Sequence, residues 1–179
     1  PTAAQNTPVA PTSTTSVPTA TLTPSPTPTV QYGDWLLYTN STYGFQLKFP
    51  PNGQVDASLS RIWLPIAPGT NLVEKYLDIA VADGGYPCSS PNAQGWAPGS
   101  SVAQPLIING LAFMKEIAGE GSTGSFYAWT VYSISQGSSD VYLTFVFFSD
   151  PEVSSNPQQP FDWVAESTVI MEIVDSFTW

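Results

Sequence analysis

The sequence predicts an α+β fold, an antiparallel sheet with one clear helix near its C-terminus. Three observations predict it. Short runs alternate between apolar and polar residues from Asp34 onward. Two later runs, Ser125 to Ser135 (SFYAWTVYSIS) and Val141 to Phe148 (VYLTFVFF), are apolar or aromatic at both parities. A single stretch, PFDWVAESTVIMEIV, has helical character. Strands apolar on both parities are covered on both faces, so these two are expected in the middle of the sheet with something lying over each side.

The elements follow in order. Asp34 to Thr39 and Tyr43 to Phe49 are expected strands joined by a turn at Asn40-Ser41. In the second, Tyr43, Phe45, Leu47 and Phe49 form one face, and Pro50-Pro51 end the pattern. Ser60 to Ile66 is a further strand, which Pro65 places at an edge. In Val73 to Val81, Val73, Leu77, Ile79 and Val81 are expected inward, and Glu74, Tyr76 and Asp78 outward. Residues 83 to 105, with Cys88 and Trp96, form a long loop of the kind that is functional or mobile. Asn109-Gly110 then joins Leu106–Ile108 to Leu111–Ile117, because both turn residues tolerate positive φ. The helix has Pro160 near its start and Asp162 in its first turn, where negative charge suits the helix dipole. Ser176 to Trp179 reads as a terminal strand or an ordered tail.

Composition divides the chain of 179 residues in two. Residues 1–30 hold ten Thr and seven Pro, with no charged and no aromatic residue. That leaves too little apolar surface to offset the ordering of the backbone, about 1–2 kcal/mol per residue. The Thr-Pro and Ser-Pro steps favour extended polyproline conformations, so this part reads as a stalk or linker. Residues 31–179 carry all the charge and all the aromatics and have the length of one globular domain. The chain opens at Pro1 without a methionine, a signal peptide or a membrane-spanning run. A stalk preceding a domain suggests an extracytoplasmic protein, at the cell surface or secreted, that meets the membrane only through an N-terminal anchor lost upstream.

With four basic groups and a net charge of −10, nucleic acid is not an expected partner, since phosphate binding needs a dense Lys/Arg patch. The chain has no histidine, which removes Ser-His-Asp and Cys-His mechanisms, His-ligated zinc and the usual neutral-pH base. Cys88 has no nearby cation to activate its thiol. Carboxylate pairs remain as a catalytic option, Glu74 with Asp78 or Glu116 with Glu120, provided the two groups stand about 5–9.5 Å apart. Gly119, Gly121 and Gly124 lack the following Lys and helix of a phosphate loop. Catalytic, cofactor and metal residues are therefore none, and no cofactor is expected.

Aromatic side chains carry the positive signal for binding. Trp63, Trp96 and Trp163 fall in or beside expected loops and are the candidate ligand or partner contacts.

The opening Tyr43-Gly44-Phe45-Gln46-Leu47-Lys48-Phe49-Pro50, the hairpin Ile108-Asn109-Gly110-Leu111-Ala112 and the close Ile173-Val174-Asp175-Ser176-Phe177 resemble PsbP-like domains over most of residues 35–179. The resemblance implies an α/β/α sandwich, and its stalked variety resembles bacterial surface lipoproteins. The matched positions are core and turn residues, so no functional residue carries over. The expected function is that of a non-catalytic extracytoplasmic binding or assembly domain, with a protein or glycan partner at the cell envelope. The alternatives are a carboxylate-dependent glycan hydrolase and a structural envelope or filament subunit.

Overall fold

A computed structural model describes residues 34–83, 103–122, 125–150 and 160–179. Trp96, Cys88, the stalk and most of the 83–105 loop lie outside the described residues.

The hairpin of β1 (Leu36–Asn40) and β2 (Phe45–Phe49) stands apart as a two-stranded sheet. Its turn is built by Asn40, whose side-chain oxygen accepts from the Thr42 and Tyr43 amides at 3.2 Å each, the local bonding that makes Asn a turn former. Seven further strands form the main sheet: β3 (Gln54–Asp56), β4 (Arg61–Trp63), β5 (Leu72–Asp83), β6 (Gln104–Ile108), β7 (Leu111–Ser122), β8 (Ser125–Gln136) and β9 (Ser139–Ser149). Their order across the sheet is β3-β4-β5-β9-β8-β7-β6, and every adjacent pair is antiparallel. The β6–β7 turn is tight because Asn109 (φ 49°) and Gly110 (φ 80°) both adopt the left-handed region, as an Asn-Gly hairpin requires.

The helix α1 (Trp163–Asp175) begins where Asp162 accepts from the Val164 and Ala165 amides at 2.9 and 3.2 Å. This cap satisfies two donors that the helix itself cannot use. Glu166, Ile170, Ile173 and Val174 form its buried face. That face packs on one side of the main sheet together with Phe45, Leu47 and Phe49 of β2, against Leu77, Ile79, Val141, Leu143, Phe145 and Phe147. After the helix, Phe177 stacks on Phe45 at 5.5 Å and meets Phe113 edge-on at 5.7 Å. Thr178 pairs with Gln46 as a short antiparallel bridge, and the Ser176 hydroxyl accepts from the Lys48 amide at 2.7 Å.

The expected α/β/α sandwich is not found. The described residues are about 60% strand and 12% helical, with one helix. This is a mostly-β architecture, richer in strand than the α+β class that the sequence suggests. β8 and β9 are indeed buried at both parities, and on the side away from α1 the cluster of Trp129, Val131, Tyr142 and Val146, flanked by Tyr76, Ala80, Ala82, Ala118 and Tyr127, gathers strand residues among the described ones. Parity reports that a side chain is buried and says nothing of what buries it, so the doubly apolar runs do not require a second helical layer.

Candidate binding cleft beside Trp163

β7 is longer than its partner. β6 accompanies it only from Leu111 to Lys115, where Gln104 is the last paired residue. From Ile117 to Gly121 the inner edge of β7 pairs with β8, in register Ile117↔Thr130, Gly119↔Ala128 and Gly121↔Phe126. No strand lies along its outer edge there among the described residues.

On the helix-bearing side, this part of the sheet presents small residues. Gly119 and Ala128 sit opposite each other, and the Phe126 ring lies diagonally across the glycine. A Cβ at residue 119 would come within 2.7 Å of Phe126 Cζ, so glycine is what lets the ring settle against the strand. Ile117 and Phe126 remain 51% and 44% exposed. The opposite wall is Trp163 at the start of α1. Its orientation is fixed by edge-on contacts with Phe147 and Phe161 at 5.2 and 5.9 Å, and Asp162 holds the backbone just before it. The walls enclose an open cleft of about 420 Å³ lined by Ile117, Ala118, Gly119, Phe126, Ala128 and Trp163.

A smaller recess of about 50 Å³ continues from Ile117 and Trp163 towards Lys115, Tyr132 and Met171. The Tyr132 hydroxyl donates to Met171 Sδ at 3.2 Å, and the Lys115 ammonium stands 5.5 Å from the Tyr132 ring centre. Burial, with a smaller push from the Asp175 carboxylate, raises the Tyr132 phenol to about 12. The lining is apolar with one cation at its end, a surface that holds a ligand by burial and aromatic contact.

The three predicted contact residues do not converge. Trp163 lines the cleft. Trp63 lies on the opposite face of the sheet, where it meets Tyr76 edge-on at 5.2 Å. There the Arg61 guanidinium stands 3.7 Å from the Tyr76 ring centre and 5.1 Å from that of Trp63. Asp78 takes this guanidinium in two parallel hydrogen bonds of 2.6 and 2.9 Å, which holds the Arg61 proton more firmly than usual. Trp63 thus packs an internal cation. Trp96 lies outside the described residues.

The carboxylates of both candidate pairs lie on the sheet face away from α1. Asp78, expected to point into solvent, is 5% exposed and held by Arg61. Residues four apart on a strand have Cα atoms about 13 Å apart, so Glu74 with Asp78 and Glu116 with Glu120 share a face without being strand neighbours. Among the described residues no group of three or more Cys, Asp or Glu side chains is placed to share a metal ion.

Sequence reasoning missed the cleft. The sequence reading ends this strand at Ile117, whereas the structure continues β7 through Gly119-Glu120-Gly121 to Ser122. The available signal was an aromatic, Phe126, at the strand position that would lie across two alternate glycines. A buried ion pair was missed as well: the Lys75 ammonium meets the Glu166 carboxylate beneath α1, with side chains 3% and 10% exposed. The Glu166 oxygen that meets Lys75 makes no conventional hydrogen bond besides this ion pair. Lys75 shares the parity of Leu77 and Ile79, and Glu166 has helical spacing with Ile170 and Ile173, so the pattern placed both inside.

No family model matches the chain, and no curated protein does. Among solved structures, a crystal structure of a protein from Bacteroides thetaiotaomicron VPI-5482 superposes with a TM-score of 0.46 at 9% identity, over 79% of this chain and 47% of that one. The chain therefore spans about half the length of that protein, and the likeness is too slight to carry an argument.

Proposed function

We propose that this chain is a non-catalytic binding domain, held outside the cytoplasm on its Pro/Thr-rich segment, that engages a protein or glycan partner of the cell envelope through the cleft between β7 and α1. The observation that carries this reading is the exposed apolar lining. Ile117 and Phe126 keep about half their surface in solvent beside Trp163, where a sheet edge would ordinarily be blunted by charge. The stalk composition and the resemblance to PsbP-like surface lipoproteins support the location. Charge supports the partner class. Of the four basic residues, Arg61 and Lys75 are tied in ion pairs with Asp78 and Glu166, which leaves no patch suited to nucleic acid.

The test is a fluorescence titration of the full chain against envelope glycans and extended peptides, beside the variant Ile117→Lys. A saturable change that the variant loses supports the cleft as the binding surface. The reading is wrong if no ligand of either class gives a response that depends on Ile117.

A further inference from the structure

On the face of the main sheet away from α1, Trp129, Val131, Tyr142 and Val146 are 5%, 1%, 4% and 3% exposed. Their described apolar neighbours, Tyr76, Ala80, Ala82, Ala118 and Tyr127, all stand in the same sheet. Side chains side by side on a sheet shield one another's flanks and leave their tips outward. Tips buried this far need chain lying across them.

The ends of two strands say which chain that is. β5 finishes at Asp83, level with Ser139 of β9, and β6 starts at Gln104, level with Lys115 of β7. Four antiparallel steps, β5-β9-β8-β7-β6, separate them, so β5 and β6 run parallel. A parallel connection has to cross over one face of its sheet.

Chirality decides which face. The Lys75 carbonyl accepts from the Leu64 amide and the Ile79 amide donates to the Ser60 carbonyl, at 2.9 Å each, so both residues aim their backbone groups towards β4. Their side chains point to the helix side, where Lys75 meets Glu166 and Ile79 joins the core under α1. When an L-residue is seen with its strand running upward and its side chain towards the viewer, its N–H and C=O point right. From the helix side, therefore, β4 lies to the right of β5 and β6 far to the left. A crossover moving left in front of the sheet is left-handed, and the same move behind it is right-handed. About 98% of such crossovers are right-handed, which assigns this one to the face that carries the buried cluster.

We infer that residues 84–102 cross the sheet on the side away from α1 and cover it there, seated on Trp129, Val131, Tyr142 and Val146. Reach and composition agree. The direct path is four inter-strand steps of about 4.8 Å, a fraction of what this length of chain can span. Tyr86, Cys88, Trp96 and Val102 offer apolar groups, and no residue from 84 to 102 is charged. Pro87, Pro91 and Pro98 recur too closely for a helix, so the cover is not a second helical layer. Other segments lead elsewhere: residues 151–159 leave and return beside Asn71, which takes the Asp150 and Phe161 amides, and then enter α1. The inference does not depend on the proposed function. It sets Trp96 across the sheet from Trp163, outside the cleft, and withdraws the outer face from partners.

The chain has one cysteine, Cys88, which takes a nitroxide spin label without substitution. A second label goes on Trp96→Cys in a Cys88→Ser background. Methyl NMR spectra of each full-length chain are compared before and after reduction of the nitroxide. Layers stacked on a sheet lie about 10 Å from it, and broadening falls with the sixth power of distance. Ala82, Val131 and Val146 on the outer face should therefore broaden on the order of ten-fold more than Val81, Leu143 and Ile170 on the helix side. If the double variant misfolds, the Cys88 label decides. Stronger broadening on the helix side, equal broadening of the two faces, or none on either overturns the inference.

Discussion

Replacing Glu166 with glutamine tests whether the core really contains an ion pair that α1 must close. In the native chain the Lys75 ammonium is 3% exposed and the Glu166 carboxylate 10%, so neither charge can recover solvation if its partner is lost. Leaving one buried charge uncompensated costs about 3–5 kcal/mol. That is a large share of the roughly 5–15 kcal/mol by which domains are stable. At about 3 °C per kcal/mol for a domain of this size, the melting temperature should fall by roughly 9–15 °C. Lys75→Met should fall as well, because it leaves the Glu166 carboxylate without its partner. The double variant Lys75→Met with Glu166→Leu should recover most of the loss or exceed the native stability by about 1–4 kcal/mol, since packed apolar groups replace a desolvated pair. Urea unfolding followed by tryptophan fluorescence measures all four proteins as a double-mutant cycle. The reasoning is refuted if Glu166→Gln costs under about 1 kcal/mol, or if the double variant loses the sum of the two single losses.

Two further outcomes follow from the same chemistry. The Tyr132 phenol is raised from 10.0 to about 12 in the folded chain, chiefly by burial. Its contribution is therefore fully present below pH 10 and is lost as pH climbs towards 12, because the unfolded chain releases this proton first. The urea midpoint should drop by the equivalent of about 2 kcal/mol over that window, and Tyr132→Phe should flatten the drop; an unchanged alkaline slope in that variant would remove Tyr132 as its source. Asp162→Ala deletes the side chain that receives the Val164 and Ala165 amides and should cost about 1 kcal/mol, visible as faster amide exchange confined to the first turn of α1. Uniform acceleration throughout the helix would point to a role other than capping.

Much of the succession of strands along the chain, though not the β5–β9 pairing, was legible because alternation and turn chemistry act locally. Asn109-Gly110 marked its hairpin from two residues, and the doubly apolar runs of β8 and β9 marked the middle of the sheet. β3 was missed because Gln54-Val55-Asp56 is three residues long and mostly exposed, too short for a period to show. The opposite placement of Trp63 and Trp163 was not legible. Which face a side chain joins depends on the register between strands, set for Trp63 by its pairing with Tyr76 and for Trp163 by where α1 lands. The cleft needed both kinds of information at once, a strand running through two glycines and a helix start brought beside it from some 40 residues downstream.

The bridge between β2 and the segment after α1 has a consequence for how the chain reaches its folded state. Lys48 and Ser176 bond across 128 positions, and Phe45 finds its stacking partner, Phe177, at similar remove. The meander from β6 to β9 can assemble from neighbours, hairpin upon hairpin, without this contact. The opening hairpin cannot: its apolar side, Phe45, Leu47 and Phe49, has no complete cover until the helix and the residues beyond it arrive. Loop closure over that distance is entropically slow. A chain emerging in order from its N-terminus therefore makes this hairpin early and docks it late, holding a greasy flap in solvent for most of its synthesis. The clasp that finishes the fold is also the contact whose delay exposes it to aggregation.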